Sequence, residues 1–292
     1  MRRFLCVVAM VAALGAAYGE DRLPIRIYAA GDIAQCEGNV QDATANKTAE
    51  LIPVGATVVT LGDSVYPLAT AKYFASCYAP TWGRHFDHTI AVPGNHDYVS
   101  GRLTEFAHYF GPHTDPKGYF MRRIGSWLLI GLDSNQSGSR LTQQFEWLRK
   151  TLAEQSSSIT CIAAFWHHAL FSSGLHSGDG NAMRPAWQML YEAHADIVMS
   201  GHEHFYERFD QLNAHGSTDQ DGVREFVVGT GGATLYGIYR PSTRNSVRRS
   251  EHGVLALDLA RDNYSWEFLS VDHETLDHGR TDCHRKSLAN DR

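Results

Sequence analysis

Short apolar runs rich in β-branched residues recur along this chain, and each has the length of a single strand. Two amphipathic patterns of helical period lie between them, at residues 141–152 and 184–196. Strands that alternate with helices indicate an α/β fold with a partly parallel sheet, because parallel strands need long crossover connections. The runs expected to form strands are residues 25–30, 56–61, 88–92, 126–132, 159–166, 195–200, 224–230 and 253–260.

Six of these predicted strands end in side chains that ligate metals or transfer protons. In an α/β sheet the ligand-binding crevice lies at the carboxyl ends of the strands. Residues far apart in the sequence therefore converge in space, and adjoining glycines let the backbone turn sharply. The segments are Gly31-Asp32, residues 62–66 (GDSVY), Asn95-His96-Asp97, Asp133-Ser134-Asn135, His167-His168 and residues 201–204 (GHEH).

Each segment taken alone has a simpler interpretation. A Gly-Asp pair after a strand is usually a turn or a helix N-cap. A lone histidine in that place is more often a surface residue than a ligand. The whole set, with two aspartates, an asparagine, a histidine and a His-x-His pair in that order at strand ends, favours a metal centre.

These segments resemble the signature of the calcineurin-like metallophosphoesterase superfamily: GD, GD, GNH followed by Asp or Glu, a lone histidine, and GHxH. Here the elements are Gly31-Asp32, Gly62-Asp63, residues 94–97, His167 and residues 201–204. The resemblance covers about residues 25 to 205. It implies a β-sandwich flanked by helices, with a dinuclear metal site at the carboxyl ends of the strands. The spacing of the first three elements suits βαβ crossovers.

One position departs from the commonest pattern of the superfamily. Most members carry a histidine two residues after the first aspartate, and here that position is Ala34. In the purple acid phosphatases, one branch of the superfamily, the second element reads GDxxY and its tyrosine binds iron. Residues 62–66 read GDSVY, so the absent histidine and the added tyrosine both resemble that branch.

The resemblance implies two metal ions that share the carboxylate of Asp63. Phenolate and carboxylate oxygens are hard ligands that suit Fe(III) at the Tyr66 site, whereas an imidazole-rich set suits Zn, Fe(II) or Mn. The first ion would take Asp32, Tyr66 and His204 with Asp63, and the second would take Asn95, His167 and His202 with Asp63.

The lone histidine of the family pattern has two candidates in this chain. His167 and His168 are adjacent, and either imidazole is able to ligate a metal. The stretch HHALFS aligns best with the family when His167 is the ligand, so we expect that assignment.

Hydrolysis of a phosphate ester needs a proton for the departing alkoxide. His96, beside the expected ligand Asn95, is placed to give that proton or to hold the phosphate. His176 lies nine residues after His167, an offset at which purple acid phosphatases carry a histidine near the substrate. The alternative for His176 is an exposed loop residue. We expect Asp97 to orient a histidine at the site.

Two further stretches are expected to support the site. The glycine-rich stretch 229–237 (GTGGATLYG) lacks the Lys-Ser/Thr pair of a nucleotide P-loop. We interpret it as a tight loop under the site rather than a phosphate cradle. Asp133 and Asn135 end a predicted strand but have no ligand counterpart in the family, so we expect them to be supporting residues.

The amino terminus predicts export. Two arginines precede an apolar run over residues 4–14, and small residues follow it. This pattern is typical of a secretory signal peptide, residues 1–19, before a catalytic domain over residues 20–292. An uncleaved membrane anchor is the alternative, but the run is shorter than the roughly 18 residues of a bilayer span. We therefore expect a periplasmic or secreted protein without a stable membrane anchor. The residues after about 270 indicate only a solvated end.

Four cysteines remain outside the predicted signal peptide, and in an exported protein they allow three disulfide connectivities. Cys36 and Cys77 each follow a predicted strand end by a few residues, so we expect them in loops on one side of the fold and pair them first. Cys161 would then pair with Cys283. The alternative is that Cys161, inside the apolar run 159–166, is a buried thiol.

The net charge of −6 argues against a nucleic-acid partner bound through a basic field. The motifs instead predict a small phosphate ester as substrate and an exported, metal-dependent acid phosphatase that hydrolyses phosphate monoesters. A metal-dependent phosphodiesterase, acting on nucleotides or phospholipid headgroups, is the alternative on the same site. A non-catalytic phosphate-binding protein is disfavoured, because no ligand or acid of the motifs is missing.

Overall fold

The structure is a computed structural model that describes residues 23–36, 43–238 and 246–284. All eight predicted strands are present, with ends shifted by at most two residues. The strands of the described ranges are β1 (Ile25–Ala30), β2 (Ala34–Gln35), β3 (Thr57–Leu61), β4 (Val65–Tyr66), β5 (Thr89–Val92), β6 (Phe120–Ile124), β7 (Trp127–Gly131), β8 (Cys161–His168), β9 (Ile197–Gly201), β10 (Tyr206–Leu212), β11 (Val223–Val228), β12 (Val247–Arg249), β13 (Gly253–Leu259), β14 (Asn263–Ser270) and β15 (Thr275–Asp282).

The helices are few, and the two longest are those that the sequence pattern predicts. The pattern over residues 141–152 corresponds to α4, and the pattern over residues 184–196 corresponds to α5. The α-helices are α1 (Ala43–Glu50), α2 (Ala71–Tyr73), α3 (Thr104–Phe110), α4 (Gly138–Ala153) and α5 (Arg184–Glu192). Shorter helical turns cover Phe74–Tyr78, Trp82–His88, Gly111–His113 and Asp179–Met183.

Two mixed sheets contain most of the strands. The first has the order β15-β14-β13-β1-β3-β5, the second has the order β12-β10-β11-β9-β8-β7-β6, and β2 pairs with β4. In the first sheet β1, β3 and β5 are parallel, and in the second β7, β8, β9 and β11 are parallel. The carboxyl ends of parallel strands lie at the same edge of each sheet, where the sequence predicts the site.

The burial of neighbouring residues on β8 shows how the layers pack. Phe165 belongs to the apolar core that the second sheet shares with the first, whereas Trp166 belongs to a second core. Successive side chains of a strand point to opposite faces, so β8 contributes to both cores and reads as a continuous apolar run. Leu148 of α4 and Leu190 of α5 complete the second core. The predicted β-sandwich flanked by helices is confirmed.

The prediction of a solvated end after about residue 270 is wrong. Residues 275–282 form β15, which pairs antiparallel with β14, and Cys283 follows in a disulfide. Most β15 side chains are exposed or half-buried, so the strand reads as a polar segment. Backbone pairing at the edge of a sheet does not require apolar side chains on the solvent face.

Both expected disulfides are present. The Cα atoms of Cys36 and Cys77 are 5.8 Å apart, and those of Cys161 and Cys283 are 5.6 Å apart. The second bond joins Cys161, at the start of β8 in the second sheet, to Cys283, which directly follows β15 of the first sheet. The first bond lies beside β4, since the backbone N–H of Cys36 donates to the carbonyl of Tyr66. The alternative of a buried free thiol at Cys161 is therefore wrong.

No helix in the described ranges has the length and apolar character needed to cross a bilayer. Residues 1–22 include the predicted signal peptide and lie outside those ranges. Export and the domain bounds of 1–19 and 20–292 therefore stay predictions.

Removing the disulfide between the sheets should destabilise the protein more than removing the disulfide beside β4. The paired cysteines are 122 residues apart in the first case and 41 in the second. Loop-closure entropy predicts losses of roughly 5 and roughly 4 kcal/mol in the free energy of unfolding. Urea unfolding of the Cys161→Ala/Cys283→Ala and Cys36→Ala/Cys77→Ala variants measures both. A larger loss for the second variant would contradict the expectation.

Candidate metal centre

Polar side chains from five strand ends meet at one edge of the sandwich. Asp32 follows β1, Asp63 follows β3 and Asn95 follows β5, while His167 lies near the end of β8 and His202 follows β9. The backbone N–H of His202 donates to Asp32 Oδ2 at 2.8 Å, which joins a strand end of the second sheet to one of the first. The structure thus brings together residues that the sequence separates widely.

Three of these residues have a left-handed backbone. The φ angles of Asp32, Asp63 and His202 are 58°, 53° and 70°. Aspartate and histidine tolerate this region better than branched residues do, yet each such residue costs on the order of 1 kcal/mol. Strain of this kind persists only where the surrounding structure fixes it. These turns direct the three side chains back over the strand ends.

Gly94 leaves the space that the Asp63 carboxylate occupies. A Cβ atom at position 94 would lie 2.0 Å from Asp63 Oδ1, far inside van der Waals contact. The backbone N–H of His96 donates to the same oxygen at 2.8 Å. The GNH segment therefore wraps around this carboxylate because its first residue has no side chain.

The first cluster of donor atoms surrounds the Tyr66 hydroxyl, on β4. That hydroxyl lies 2.7 Å from Asp32 Oδ1, 2.8 Å from Asp63 Oδ2 and 3.1 Å from His204 Nε2. His204 Nε2 is also 3.1 Å from Asp32 Oδ1. Two carboxylates, a phenol and an imidazole therefore direct their donor atoms to one point.

The second cluster shares Asp63 and surrounds the His167 ring. His167 Nε2 lies 3.3 Å from Asp63 Oδ2, 3.1 Å from Asn95 Oδ1 and 3.2 Å from His202 Nδ1. These are the four residues that the sequence assigns to the second metal ion. Asp63 contacts both clusters, as a bridging carboxylate has to do.

His168, the alternative to His167, lies at the margin of the second cluster. Its Nδ1 is 2.8 Å from Ser134 Oγ, and its ring centroid is 4.3 Å from that of His202. Burial and the neighbouring charge of His167 lower the pKa of His168 to about 2, so this imidazole is neutral. The contacts with Asp63 and Asn95 are made by His167, which favours His167 as the ligand.

Each histidine of the clusters has its second ring nitrogen on an acceptor. His167 Nδ1 is 2.8 Å from the carbonyl oxygen at the end of β3, and His204 Nδ1 is 2.7 Å from the carbonyl oxygen of Thr234. His202 Nε2 is 3.0 Å from Asp179 Oδ2. An acceptor on one nitrogen holds a proton there and leaves the lone pair of the other nitrogen for a metal.

The ionisation of the clusters follows from burial and from neighbouring charges. Burial and the carboxylates of Asp32 and Asp63 raise the pKa of Tyr66 well above 10. Burial alone would raise the pKa of Asp63, but the positive charge of His167 outweighs it and holds that pKa well below its usual range. Burial lowers the pKa of His167, yet Asp63 overcomes this and raises it to about 9.

The positive charge of protonated His167 thus balances part of the buried negative charge, and the proton on Tyr66 prevents a further negative charge. Metal ions compete with such protons for the same lone pairs, because a ligand has to be deprotonated to bind. The donors fit the two ions that the family pattern implies. The oxygen-rich set around Tyr66 suits a hard trivalent cation, and the nitrogen-rich set around His167 suits a divalent one.

The two candidate proton donors lie beside different clusters. The ring of His96 is 4.5 Å from that of Tyr66, and its Nδ1 is 2.7 Å from the carbonyl oxygen of Pro67. The ring of His176 is 5.0 Å from that of His202, and its side chain is 38% exposed. His176 is therefore a partly exposed loop residue whose ring lies beside the second cluster.

Three supporting residues escape the sequence analysis. Glu203 is buried and accepts the backbone N–H of His176 at 2.8 Å. The Tyr236 ring stacks parallel to that of His204, with centroids 4.0 Å apart. The third residue is Asp179, on the His202 ring. An acidic residue between two expected ligand histidines is a usable signal for Glu203, and Tyr236 lies in the glycine-rich stretch 229–237, whereas Asp179 carries no comparable signal.

The glycine-rich stretch 229–237 lies against the first cluster, in agreement with its interpretation as a tight loop under the site. The backbone N–H of Ala233 donates to the carbonyl of Asp32 at 2.9 Å. The backbone N–H of Tyr236 donates to the carbonyl of His204 at 2.9 Å. The stretch thus fixes the turns that carry Asp32 and His204.

Asp97 differs from its expected role. Its carboxylate accepts the backbone N–H of Gly94 at 2.8 Å and that of Ser64 at 3.1 Å. Burial and the nearby charge of Asp63 raise its pKa to about 7. The prediction that Asp97 orients a histidine is therefore wrong, since Asp97 instead ties the turn after β3 to the turn after β5.

Comparison with known proteins agrees with this geometry. The model of the calcineurin-like phosphoesterase family matches residues 25–206. Among curated proteins, purple acid phosphatase 22 of Arabidopsis thaliana is 25% identical over 279 residues, which cover 80% of this chain and 64% of the plant protein. The chain spans less than two thirds of the length of the curated relatives that it matches.

Two solved structures share the fold. GAP50, the anchor in the inner membrane complex of Plasmodium, has a TM-score of 0.72 at 15% identity, over 91% of this chain and 90% of that chain. Purple acid phosphatase PPD1 from yellow lupin (Lupinus luteus) has a TM-score of 0.64 at 19% identity, over 91% of this chain and 57% of that chain. The family match covers more than half of the chain and includes every motif element. The chain therefore belongs to the calcineurin-like phosphoesterase family, on its purple acid phosphatase-like branch.

Proposed function

We propose that this protein is an exported, metal-dependent acid phosphatase that hydrolyses phosphate monoesters to an alcohol and inorganic phosphate. The observation that carries the proposal is the pair of donor clusters that share Asp63, one around Tyr66 and the other around His167. Membership of a phosphoesterase family supports the same class of reaction.

Two metal ions would occupy the clusters, with Fe(III) at the Tyr66 site and Zn, Fe(II) or Mn at the other. When bound, two ions roughly 3.5–4 Å apart polarise the phosphoryl oxygens and make water a nucleophile at mild pH. The residues proposed to hold the first ion are Asp32, Tyr66, His204 and Asp63, and those proposed to hold the second are Asn95, His167, His202 and Asp63.

The histidines beside the clusters would supply the proton that the leaving-group oxygen takes. Water adds to phosphorus, the bond from phosphorus to the leaving-group oxygen breaks, and that oxygen takes a proton. In His96 the Nδ1 atom is occupied by the carbonyl of Pro67, so Nε2 is the nitrogen left to meet the substrate. In His176 the Nδ1 atom lies 3.5 Å from Glu203 Oε2. A trivalent iron ion would acidify a bound water more than a divalent ion does, which favours a mildly acid optimum.

Export is proposed from the amino-terminal pattern of residues 1–19. The two disulfides support it, because such bonds persist in the periplasm and outside the cell and are rare in reducing compartments.

Substrate class tests the function directly. The iron- and zinc-loaded protein should hydrolyse 4-nitrophenyl phosphate at least about tenfold faster than bis(4-nitrophenyl) phosphate, with its maximum rate below pH 7. His202→Ala should lose on the order of a hundredfold or more in kcat, since it removes a proposed ligand. The control is His215→Ala, at an exposed histidine.

Faster turnover of the diester would replace the proposal with the phosphodiesterase alternative. An alkaline optimum of the iron-loaded protein would contradict the acid preference. Full activity in His202→Ala would favour a non-catalytic protein with a contaminating enzyme.

The visible spectrum tests the role of Tyr66. A phenolate bound to Fe(III) gives a charge-transfer band, so the iron-loaded wild type should be coloured and Tyr66→Phe should be colourless. Tyr236→Phe is the matched control, because Tyr236 stacks on His204 without being a proposed ligand. The iron content of each protein is measured together with its spectrum. A coloured Tyr66→Phe variant, or a colourless wild type with full iron content, would show that the tyrosine is not a ligand.

The dependence on the leaving group tests the two proposed acids. His96→Asn or His176→Asn should lower kcat for glycerol 2-phosphate by about a hundredfold, because an alkoxide needs a proton to leave. The loss should be much smaller for 4-nitrophenyl phosphate, whose leaving group departs as a stable anion. His108→Asn, at an exposed helix position, is the control. A variant with equal losses for both substrates would identify its histidine as a phosphate-binding residue instead.

A further inference from the structure

A groove leads from the second donor cluster to another part of the surface. Its inner cavity, of about 590 Å³, has Asn95 in its wall. Its outer cavity, of about 580 Å³, continues past Leu103. The two cavities are neighbours, because they have the wall residues Tyr98, Gly101, Gln136 and Arg140 in common. A substrate bound at the clusters is thus able to extend along this groove.

The groove is positively charged although the chain as a whole is negative. Arg102, Lys117 and Arg140 line it, and among the described residues no carboxylate lines either cavity. In the part of the chain that the structure describes, none of these three cations forms an ion pair. Three cations collected in a protein of net charge −6 form a local site for an anion.

A buried carboxylate holds the wall between the clusters and these cations. Asp133 accepts hydrogen bonds from the Tyr98 hydroxyl, from Asn135 Nδ2 at 2.9 Å and from Gln136 Nε2 at 2.5 Å. Asn135 Nδ2 also lies 3.2 Å from the carbonyl oxygen of Pro93, in the turn after β5. These donors occupy the Asp133 oxygens, and Asp133 lines neither cavity. The wall is therefore ordered before a ligand enters, which reduces the entropy cost of binding.

We propose that this groove binds a second phosphate, carried by the leaving group, so that the preferred substrates are phosphoesters or phosphoanhydrides with a phosphorylated leaving group. This inference rests on the proposed function. At the clusters water adds to phosphorus, the bond to the leaving-group oxygen breaks, and that oxygen takes a proton. Inorganic phosphate and a leaving group that still carries its own phosphate are released.

The chemistry of the three cations favours phosphate as the bound group. A guanidinium forms two parallel hydrogen bonds to phosphate oxygens, and a lysine ammonium adds a point charge. A dianionic or trianionic phosphate chain matches three positive charges better than a single carboxylate does. Arg102, Lys117 and Arg140 are exposed, so each contact is modest in strength and sensitive to salt.

A comparison of ATP with AMP distinguishes the contribution of the groove from that of the clusters. AMP releases adenosine, which has no phosphate, whereas ATP releases ADP, and both carry the same base and sugar. Arg140→Gln and Lys117→Gln should each lower kcat/KM for ATP by roughly five- to tenfold. The same variants should change kcat/KM for AMP by less than about twofold. Arg149→Gln, an exposed arginine on α4 outside both cavities, is the matched control and should change neither value.

Equilibrium binding gives a readout that does not depend on turnover. The imido analogue of ATP should bind metal-loaded wild type more tightly than AMP does, and Arg140→Gln should remove most of the difference. Equal effects of Arg140→Gln on both nucleotides, or none on either, would overturn the groove proposal. Hydrolysis of AMP or 4-nitrophenyl phosphate by wild type reports on the proposed function separately. If wild type hydrolyses neither, the proposed function fails, and the binding data still decide whether the groove holds phosphate.

Discussion

The buried carboxylate of Asp63 is the interaction on which the rest of the site depends. It is almost inaccessible to solvent, and it receives the Tyr66 hydroxyl, the backbone N–H of His96 and the ring of His167. An uncompensated charge in such a place would cost several kcal/mol. Partners from β4, the turn after β5 and the end of β8 supply the compensation. Groups from both sheets therefore meet at this one charge.

The strands that sequence reasoning predicts are those with continuous apolar runs, and all of them except β5, at the edge of the first sheet, are inner strands of the two sheets. β9, for example, is buried at every residue, so its sequence contains an apolar run that predicts a strand. β14 escapes because its buried and half-buried residues alternate strictly, and a search for apolar runs overlooks a period of two. β15 escapes because an edge strand depends on backbone pairing with β14 rather than on its own composition.

The proposed ligands are predictable from the sequence because each one lies in a short motif at a strand end. Their supporting contacts are not, because those contacts join segments with no motif relation. Tyr236 reaches the ring of His204 from a loop, and Asp179 reaches His202 from a helical turn. For Asp97, by contrast, the motif predicts the wrong contact. It lies within a motif, but its partners are backbone N–H groups of two turns, and the position of a backbone group is set by the fold alone.

Residues 201–204 show how one short segment serves both clusters and the loop beside them. His202 contributes Nδ1 to the second cluster, and His204 contributes Nε2 to the first. These residues form the bend between β9 and β10, and Glu203, between the two histidines, accepts the backbone N–H of His176. The turn that carries two proposed ligands therefore also fixes the loop that carries a proposed acid. A shift of this turn would move the two proposed ligands and the proposed acid together, so that their relative positions are preserved.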